Sequence, residues 1–222
     1  PASAGTSTSN WPEGPGKPIT DQRPDAELRA ILREIDEDRI KAIVEKLVSF
    51  GTRHTLSSQT DPNRGIGAAA NWILEEMNRY AATSGGRMTV EFQSYIQQPA
   101  SRIPTPTRIT NVVATLRGSV TPDRIYVVSG HYDSRISDVM NFTDDSPGAS
   151  DDASGVAVAM ELARIMATRR PEATIVFTAV SGEEQGLYGA RYQAAQYKAA
   201  GADVHAMFTN DIIGSSTADD GA

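Results

Sequence analysis

Residues 174–184 read TIVFTAVSGEE, and this stretch decides the fold class. The run from 174 to 180 is almost continuously apolar, which is typical of a strand whose two faces are both covered. A Ser-Gly pair ends the run, and two carboxylates, Glu183 and Glu184, follow at once. We therefore predict a buried strand that delivers acidic side chains to one edge of a sheet.

Helices and strands alternate on both sides of this stretch. Apolar periodicity predicts helices over 153–168 and 187–200, and shorter apolar runs predict strands over 125–129 and 204–212. The last of these strands is also expected to be buried. The order strand, helix, strand, helix, strand favours an α/β fold, a three-layer α/β/α sandwich with a mixed sheet that is parallel at its centre.

The first half of the chain is predicted to add further elements to the same domain. These are helices over 25–35, 38–49 and 67–80 and strands over 88–96 and 109–116. We expect a single catalytic domain over 21–222, preceded by a flexible, low-complexity tail over 1–20.

Composition narrows the function classes. The 222 residues carry a formal net charge of −7, which disfavours nucleic acid or an anionic membrane as a partner. No apolar run approaches the length of a membrane span. Because the chain has no cysteine, disulfides and thiolate zinc sites are excluded. Any metal ion must therefore bind to His, Asp and Glu.

The two ends of the chain carry further expectations. The chain begins at Pro1 in a stretch rich in Ser, Thr, Gly and Pro, as an exported protein does once its signal peptide is gone. A trimmed chain would begin in the same way. We expect a periplasmic or extracellular protein, and a monomer. Because little chain follows the strand at 204–212 that could cover it, the natural protein is expected to continue beyond Ala222.

Polar residues gather where the predicted strands end. They lie at 129–134, 148–155, 181–184 and 210–211, and open α/β sheets bind ligands at this edge. Each stretch alone has an ordinary explanation, such as a hydrogen-bonded His-Asp pair, a helix N-cap or a solvated Glu pair. Together they bring carboxylates to the ends of buried strands, where unpaired charges are costly. A dication removes that cost, and zinc accepts imidazole and carboxylate ligands together.

The same stretches resemble metallopeptidase family 28 in order and spacing. The matching segments are His131-Tyr132-Asp133-Ser134, Asp151-Asp152-Ala153-Ser154-Gly155, SGEEQGLYG at 181–189 and Asn210-Asp211. Gly51-Thr52-Arg53 is similar to the N-terminal region of that family. The family includes bacterial secreted aminopeptidases and glutamate carboxypeptidase. The resemblance implies a zinc aminopeptidase fold of the phosphorylase/hydrolase type and a site for two Zn²⁺ ions.

The resemblance also implies a role at each matching position. His131 and Asp211 resemble the ligands of one zinc ion. Asp151 resembles the carboxylate that bridges the two ions, and Glu184 resembles a ligand of the second ion. Glu183 resembles the general base. This division suits the chemistry, because one of two adjacent glutamates can bind metal while its neighbour takes a proton.

Two further features come with the resemblance. Asp133 resembles a residue that holds the His131 ring in its working tautomer, as metal-bound histidines usually require. The peptide bond between Asp151 and Asp152 is expected to be cis.

The chain departs from the family pattern in its histidines. The family has a further histidine ligand well downstream of the Asp211 position, whereas no histidine follows Asp211 here. His205 precedes Asp211 by six residues, which is about 20 Å along a strand, and His54 is expected to be structural. Because the second zinc ion would lack a ligand, these 222 residues alone are not expected to form a competent enzyme.

The expected function is that of a zinc-dependent exopeptidase, specifically an aminopeptidase that hydrolyses peptides with a water bridging two zinc ions. A single-zinc glutaminyl cyclase of the same fold shares the stretch at 131–134, but those at 151–155 and 183–189 favour the peptidase. A carboxypeptidase would need a cationic group for the terminal carboxylate of its substrate. A non-catalytic, receptor-like member would have lost ligands that are present here. A serine hydrolase is poorly supported, because no Gly-x-Ser-x-Gly occurs.

Overall fold

A computed structural model describes residues 25–213, so the tail predicted over 1–20 lies outside the described residues. The chain divides into two compact units, Pro1–Arg33 and Glu34–Ala222. Of the first unit the structure describes one helix, α1, at Ala26–Arg33.

In the second unit, helices and strands follow the predicted order. They are α2 (Glu37–Val48), α3 (Ile66–Ala82), β1 (Met88–Gln97), β2 (Thr107–Leu116), β3 (Thr121–His131), α4 (Ser154–Ala167), β4 (Ala173–Val180), α5 (Tyr188–Ala199) and β5 (Asp203–Thr209). The third strand is longer at both ends than predicted, because strand pairing joins main-chain groups whatever side chains they carry. No helix within 25–213 has both the length and the apolar character that crossing a membrane requires.

The five strands form one mixed sheet in the order β1-β2-β4-β3-β5. The pairs β1/β2 and β2/β4 are antiparallel. The pairs β4/β3 and β3/β5 are parallel, and the helices α4 and α5 make the crossovers that parallel pairs need. The predicted mixed sheet with a parallel centre is confirmed.

Helices cover both faces of this sheet. On β2, Val112, Ala114 and Leu116 pack into one apolar cluster with residues of α2, α3 and α4. Val113 belongs to the cluster on the opposite face, against which Tyr197 of α5 packs. Side chains alternate along a strand, so one strand serves both layers. The α/β/α layering is therefore confirmed.

The outermost strand corrects one expectation. The sequence predicts a buried strand over 204–212, but β5 ends at Thr209 and its residues are mostly exposed. Met207 and Phe208 have 48% and 59% of their surface exposed. The physical reason is position: β5 lies at the edge of the sheet described here and pairs on one side only, with β3.

A buried carboxylate joins α4 to the start of α2. Glu161 has 2% of its side chain exposed, and its oxygens lie 2.6 and 2.9 Å from nitrogens of Arg164. The amide of Asp36 donates to Glu161 Oε1 over 3.0 Å. Asp36 in turn caps α2, because its side chain accepts from the amides of Asp38 and Arg39. One buried charge therefore holds the beginning of α2 in place.

Replacement of Glu161 tests this junction. Glu161→Ala should lower the free energy of unfolding by about 2 kcal/mol, because Arg164 and the Asp36 amide lose a buried acceptor. Glu75→Ala, at an exposed position of α3, should change it by less than about 0.5 kcal/mol. Urea unfolding followed by circular dichroism measures both, and equal small effects would contradict the role of Glu161.

Candidate active site

Two parallel strands end side by side at the predicted site. His131, the last residue of β3, pairs with Val180, the last residue of β4. Because the strands are parallel, the turns at 132–134 and 181–184 leave the sheet at the same edge. On the other side of β3, the strand β5 leads to residues 210–211.

Two glycines let the start of α4 reach this edge. A side chain on Gly130 of β3 would come within 2.4 Å of the main chain of Gly155 and Val156. A side chain on Gly155 would come within 2.3 Å of the Asn210 carbonyl oxygen. Contacts this short leave room for glycine only. The close approach brings the residues that precede α4, at 151–152, to the end of β3.

The two adjacent aspartates before α4 have opposite environments. The bond between Asp151 and Asp152 is cis, as the resemblance implies. Asp152 is fully buried, and its two oxygens accept from the amides of His131 and Gly155 over 2.9 and 3.0 Å. Burial, reinforced by the charge of Asp211, raises the pKa of Asp152 to about 6 despite these amides. The side chain of Asp151 is 45% exposed and points to His131.

Three carboxylates converge on one imidazole nitrogen. The Nε2 atom of His131, whose side chain is 4% exposed, lies 3.1 Å from Oδ1 of Asp151. It also lies 3.8 Å from Oδ1 of Asp211 and 3.9 Å from Oε2 of Glu183. The structure thus brings four of the predicted site residues to a common point.

Asp133 connects the two turns that flank this point. Its carboxylate accepts from the amides of Glu183 and Glu184 over 3.2 and 3.1 Å and from the Thr55 hydroxyl over 3.1 Å. The Nδ1 atom of His131 lies 3.1 Å from the main-chain oxygen of Asp133 and 3.5 Å from its Oδ1. A proton on Nδ1 would therefore have acceptors in Asp133, which leaves Nε2 free for a ligand.

Glu184 lies beside the cluster, and its carboxylate is paired with an arginine side chain. Its Oε2 lies 2.5 Å from Nε of Arg135, and its side chain is 8% exposed. Its main-chain oxygen accepts from Arg102 over 2.8 Å. Sequence reasoning missed both arginines. Arg135 directly follows the stretch at 131–134 and could have been noticed, whereas Arg102 lies on the loop between β1 and β2 and gives no local signal.

The site suits a metal cation by charge. Burial alone lowers the pKa of the His131 imidazole, but Asp133, Asp152 and Glu183 outweigh burial and raise it to about 10. The surroundings therefore favour positive charge at the ring. A dication that replaced the proton on Nε2 would meet the same favourable field.

The ligand types suit zinc as well. In the described part of the chain, His131, Asp152 and Asp211 offer ligand atoms within 4.8 Å of one another. Both oxygens of Asp152 already accept amide hydrogen bonds, whereas Oδ1 of Asp151 lies 3.1 Å from His131 Nε2. Imidazole and carboxylate together form a donor set that zinc accepts.

A buried arginine shapes the loop that leads into the cluster. Arg53 is fully buried, and burial lowers its pKa to about 10 although Asp133 and Asp152 act in the opposite direction. It remains charged at neutral pH. Over 2.7–3.0 Å it donates to the main-chain oxygens of Leu47, Tyr132, Pro147 and Gly148. The sequence marked this arginine by resemblance only.

The other two histidines lie away from the cluster. His54 is buried, its Nδ1 accepts from the Leu56 amide over 3.0 Å, and its Nε2 lies 3.0 Å from the Val139 oxygen. It is structural, as expected. His205 lies near the beginning of β5 and pairs with Asp203 over 3.0 Å.

The order of these residues matches a known family. The sequence model of Peptidase family M28 matches residues 111–220. This chain belongs to peptidase family M28. The match begins on β2 and includes every residue of the carboxylate cluster, from His131 to Asp211.

Curated relatives of this M28 chain are named "Probable zinc metalloprotease". The relative from Pyricularia oryzae is 65% identical over 212 residues, which cover 94% of this chain and 42% of the relative. The relative from Leptosphaeria maculans is 60% identical over 198 residues, which cover 89% of this chain and 46% of the relative. The M28 chain thus spans less than half the length of these relatives.

Solved structures share the fold. The LapA aminopeptidase of Legionella pneumophila superposes with a TM-score of 0.67 at 22% identity, over 90% of this chain and 50% of that one. The glutaminyl cyclase of Porphyromonas gingivalis gives 0.65 at 21% identity, over 83% and 62%. At these identities the likeness establishes the fold alone, since proteins named for two different reactions share it.

Arg53 offers a test of how the site is held. Arg53→Met should lower the free energy of unfolding by about 3 kcal/mol or more, because buried carbonyl oxygens lose their donor. Arg117→Met, at an exposed position, is the matched control and should change it by less than about 0.5 kcal/mol. Chemical denaturation measures both, and a stable Arg53→Met variant would show that the loop does not need this donor.

Proposed function

We propose that the protein carrying this chain is a zinc-dependent aminopeptidase that removes N-terminal residues from peptides. The observation that carries the proposal is the convergence of three carboxylates on the buried Nε2 of His131. The M28 relatives named as zinc metalloproteases support the metal and the peptide substrate. The stretches at 151–155 and 183–189, which resemble the peptidases of the family more than the cyclases, support the finer assignment.

The proposed ligands are the residues that the sequence predicts. His131 and Asp211 would hold one zinc ion, Asp151 would bridge to a second ion, and Glu184 would bind that second ion. Bound zinc supplies Lewis-acid chemistry, since it polarises a carbonyl group and lowers the pKa of water. The crowding of carboxylates supports the assignment, because a dication offsets their repulsion.

Glu183 is proposed as the general base. Its Oε2 lies 3.9 Å from His131 Nε2 and its side chain is 30% exposed. Within 25–213 its carboxylate has no hydrogen-bond donor from the protein, whereas Glu184 is bound by Arg135. A free, partly exposed carboxylate can take a proton from water and return it to the leaving amine. The hydrogen bond that the Glu183 amide donates to Asp133 Oδ1 keeps the main chain of Glu183 in place.

The second zinc ion would need a ligand in addition to Asp151 and Glu184. The relatives are more than twice as long as the segment that matches this chain. Of the three histidines in the chain, only His131 faces the cluster among the residues described. We infer that a further ligand of the second ion comes from outside these 222 residues, and that the residues alone are not active. The single domain over 21–222, the monomeric state and export stay predictions of the sequence.

Exchange of Glu183 tests the role of the base. In the complete protein, Glu183→Gln should slow hydrolysis of an aminoacyl-peptide by about 10²–10⁴-fold, because the amide cannot accept the proton. We expect mass spectrometry of the bound metal to find the same zinc content in this variant as in the natural protein. Glu91→Gln, on an exposed position of β1, should retain full activity. A Glu183→Gln variant with near-natural turnover would remove this residue from the role.

Metal content separates the peptidase from a glutaminyl cyclase. The complete protein should bind two zinc ions per chain and hydrolyse peptides. One ion, together with cyclisation of N-terminal glutamine, would favour the cyclase instead. His131→Ala should lose at least one ion because it removes the buried imidazole ligand. His205→Ala, near the beginning of β5, should keep both ions.

A further inference from the structure

Arg135 makes a close contact with a carboxylate of the site. Its Nε lies 2.5 Å from Oε2 of Glu184. Glu184 is largely buried, with 8% of its side chain exposed, whereas 36% of the Arg135 side chain is exposed. Hydrogen bonds between a charged donor and a charged acceptor are the strong ones in proteins. Because the pair is half-covered by the protein, solvent weakens it less than it weakens a surface ion pair.

Main-chain contacts hold Glu184 on both sides of its side chain. Its amide donates to Asp133 Oδ2 over 3.1 Å, and its carbonyl oxygen accepts from Arg102 over 2.8 Å. These contacts fix the backbone but leave the side-chain torsions free. The Arg135 contact is the one that restrains the carboxylate itself within the described part of the chain.

The backbone that presents Arg135 is anchored as well. The hydroxyl of Ser134, the preceding residue, donates to the main-chain oxygen of Ser146 over 2.7 Å and accepts from the Arg53 amide over 3.2 Å. Arg135 Nη1 lies 3.3 Å from the main-chain oxygen of Ile136. Arg135 therefore directly follows a buried, hydrogen-bonded residue, and its guanidinium also contacts the main chain of the next residue.

We propose that Arg135 is a positioning residue for metal binding, because it holds one oxygen of Glu184 and leaves the other free for zinc. This inference rests on the proposed function, in which Glu184 is a zinc ligand. A side chain restrained before the ion arrives loses less conformational freedom on binding it. Partners that orient a ligand in this way typically change metal affinity by about 10–100-fold when they are removed.

Zinc affinity tests the proposal without reference to catalysis. The complete protein is stripped of metal and titrated with zinc alone against a chromophoric chelator. Arg135→Ala should weaken the binding of one ion by about 10–100-fold and leave the other ion unchanged. Arg135→Lys keeps the charge but has no Nε donor at this depth, so it should recover only part of the loss. Arg169→Ala, which breaks an ion pair with Glu34 at the opposite end of the sheet, is the control and should leave both affinities unchanged.

A double-mutant cycle shows whether Arg135 acts through Glu184. Glu184→Gln should weaken the same ion, and Arg135→Ala added to it should have little further effect. If Glu184→Gln leaves both affinities unchanged, the ligand assignment of the proposed function fails. If Glu184→Gln weakens one ion while Arg135→Ala weakens none or tightens it, this inference alone is overturned. Equal losses from Arg135→Ala in both backgrounds would overturn it too. Should Arg135→Ala not fold, judged by circular dichroism, Arg135→Lys supplies the same comparison.

Discussion

Negative charge crowded around one buried imidazole is the constraint on which the organisation of this chain depends. Oxygens of Asp151, Asp211 and Glu183 lie within 3.9 Å of His131 Nε2, and the imidazole is 4% exposed whereas the three carboxylates are partly exposed. Like charges at such distances repel, and a fold must hold them against that repulsion. The parallel strands β3 and β4, together with the glycine contact between β3 and α4, provide the rigid frame.

Donors around the cluster offset part of this charge. The Asp133 carboxylate accepts two amides from the turn after β4, and Asp152 accepts amides from β3 and α4. The Arg53 guanidinium donates to carbonyl oxygens of the loop that leads into the cluster, and Arg135 forms an ion pair with Glu184. Most polar atoms near the cluster thus have partners, and Glu183 keeps a carboxylate without a protein donor in the part of the chain that the structure describes. The two adjacent glutamates therefore differ in their partners: Arg135 binds the Glu184 carboxylate, whereas the Glu183 carboxylate lies 3.9 Å from His131 Nε2.

The fold of this chain does not by itself identify the reaction that the protein catalyses. Proteins named as an aminopeptidase and as a glutaminyl cyclase superpose on this chain with nearly equal TM-scores. The difference must therefore lie in side chains, since function belongs to sites and not to folds. The chain also covers less than half of the length of the relatives that it matches at 60–65% identity.

The sequence by itself determined the layered α/β fold and the grouping of acidic residues at one sheet edge. Both follow from short-range signals: an apolar run such as 174–180 marks a buried strand, and parallel strands send their following residues to one edge. Only the tertiary structure showed that Asp152 is buried while Asp151 is partly exposed, revealed the partners of Arg53 and Arg135, and showed that β5 is an exposed edge strand. These features depend on contacts between segments far apart in the chain and on which strand lies at the edge, and local periodicity carries no information about either.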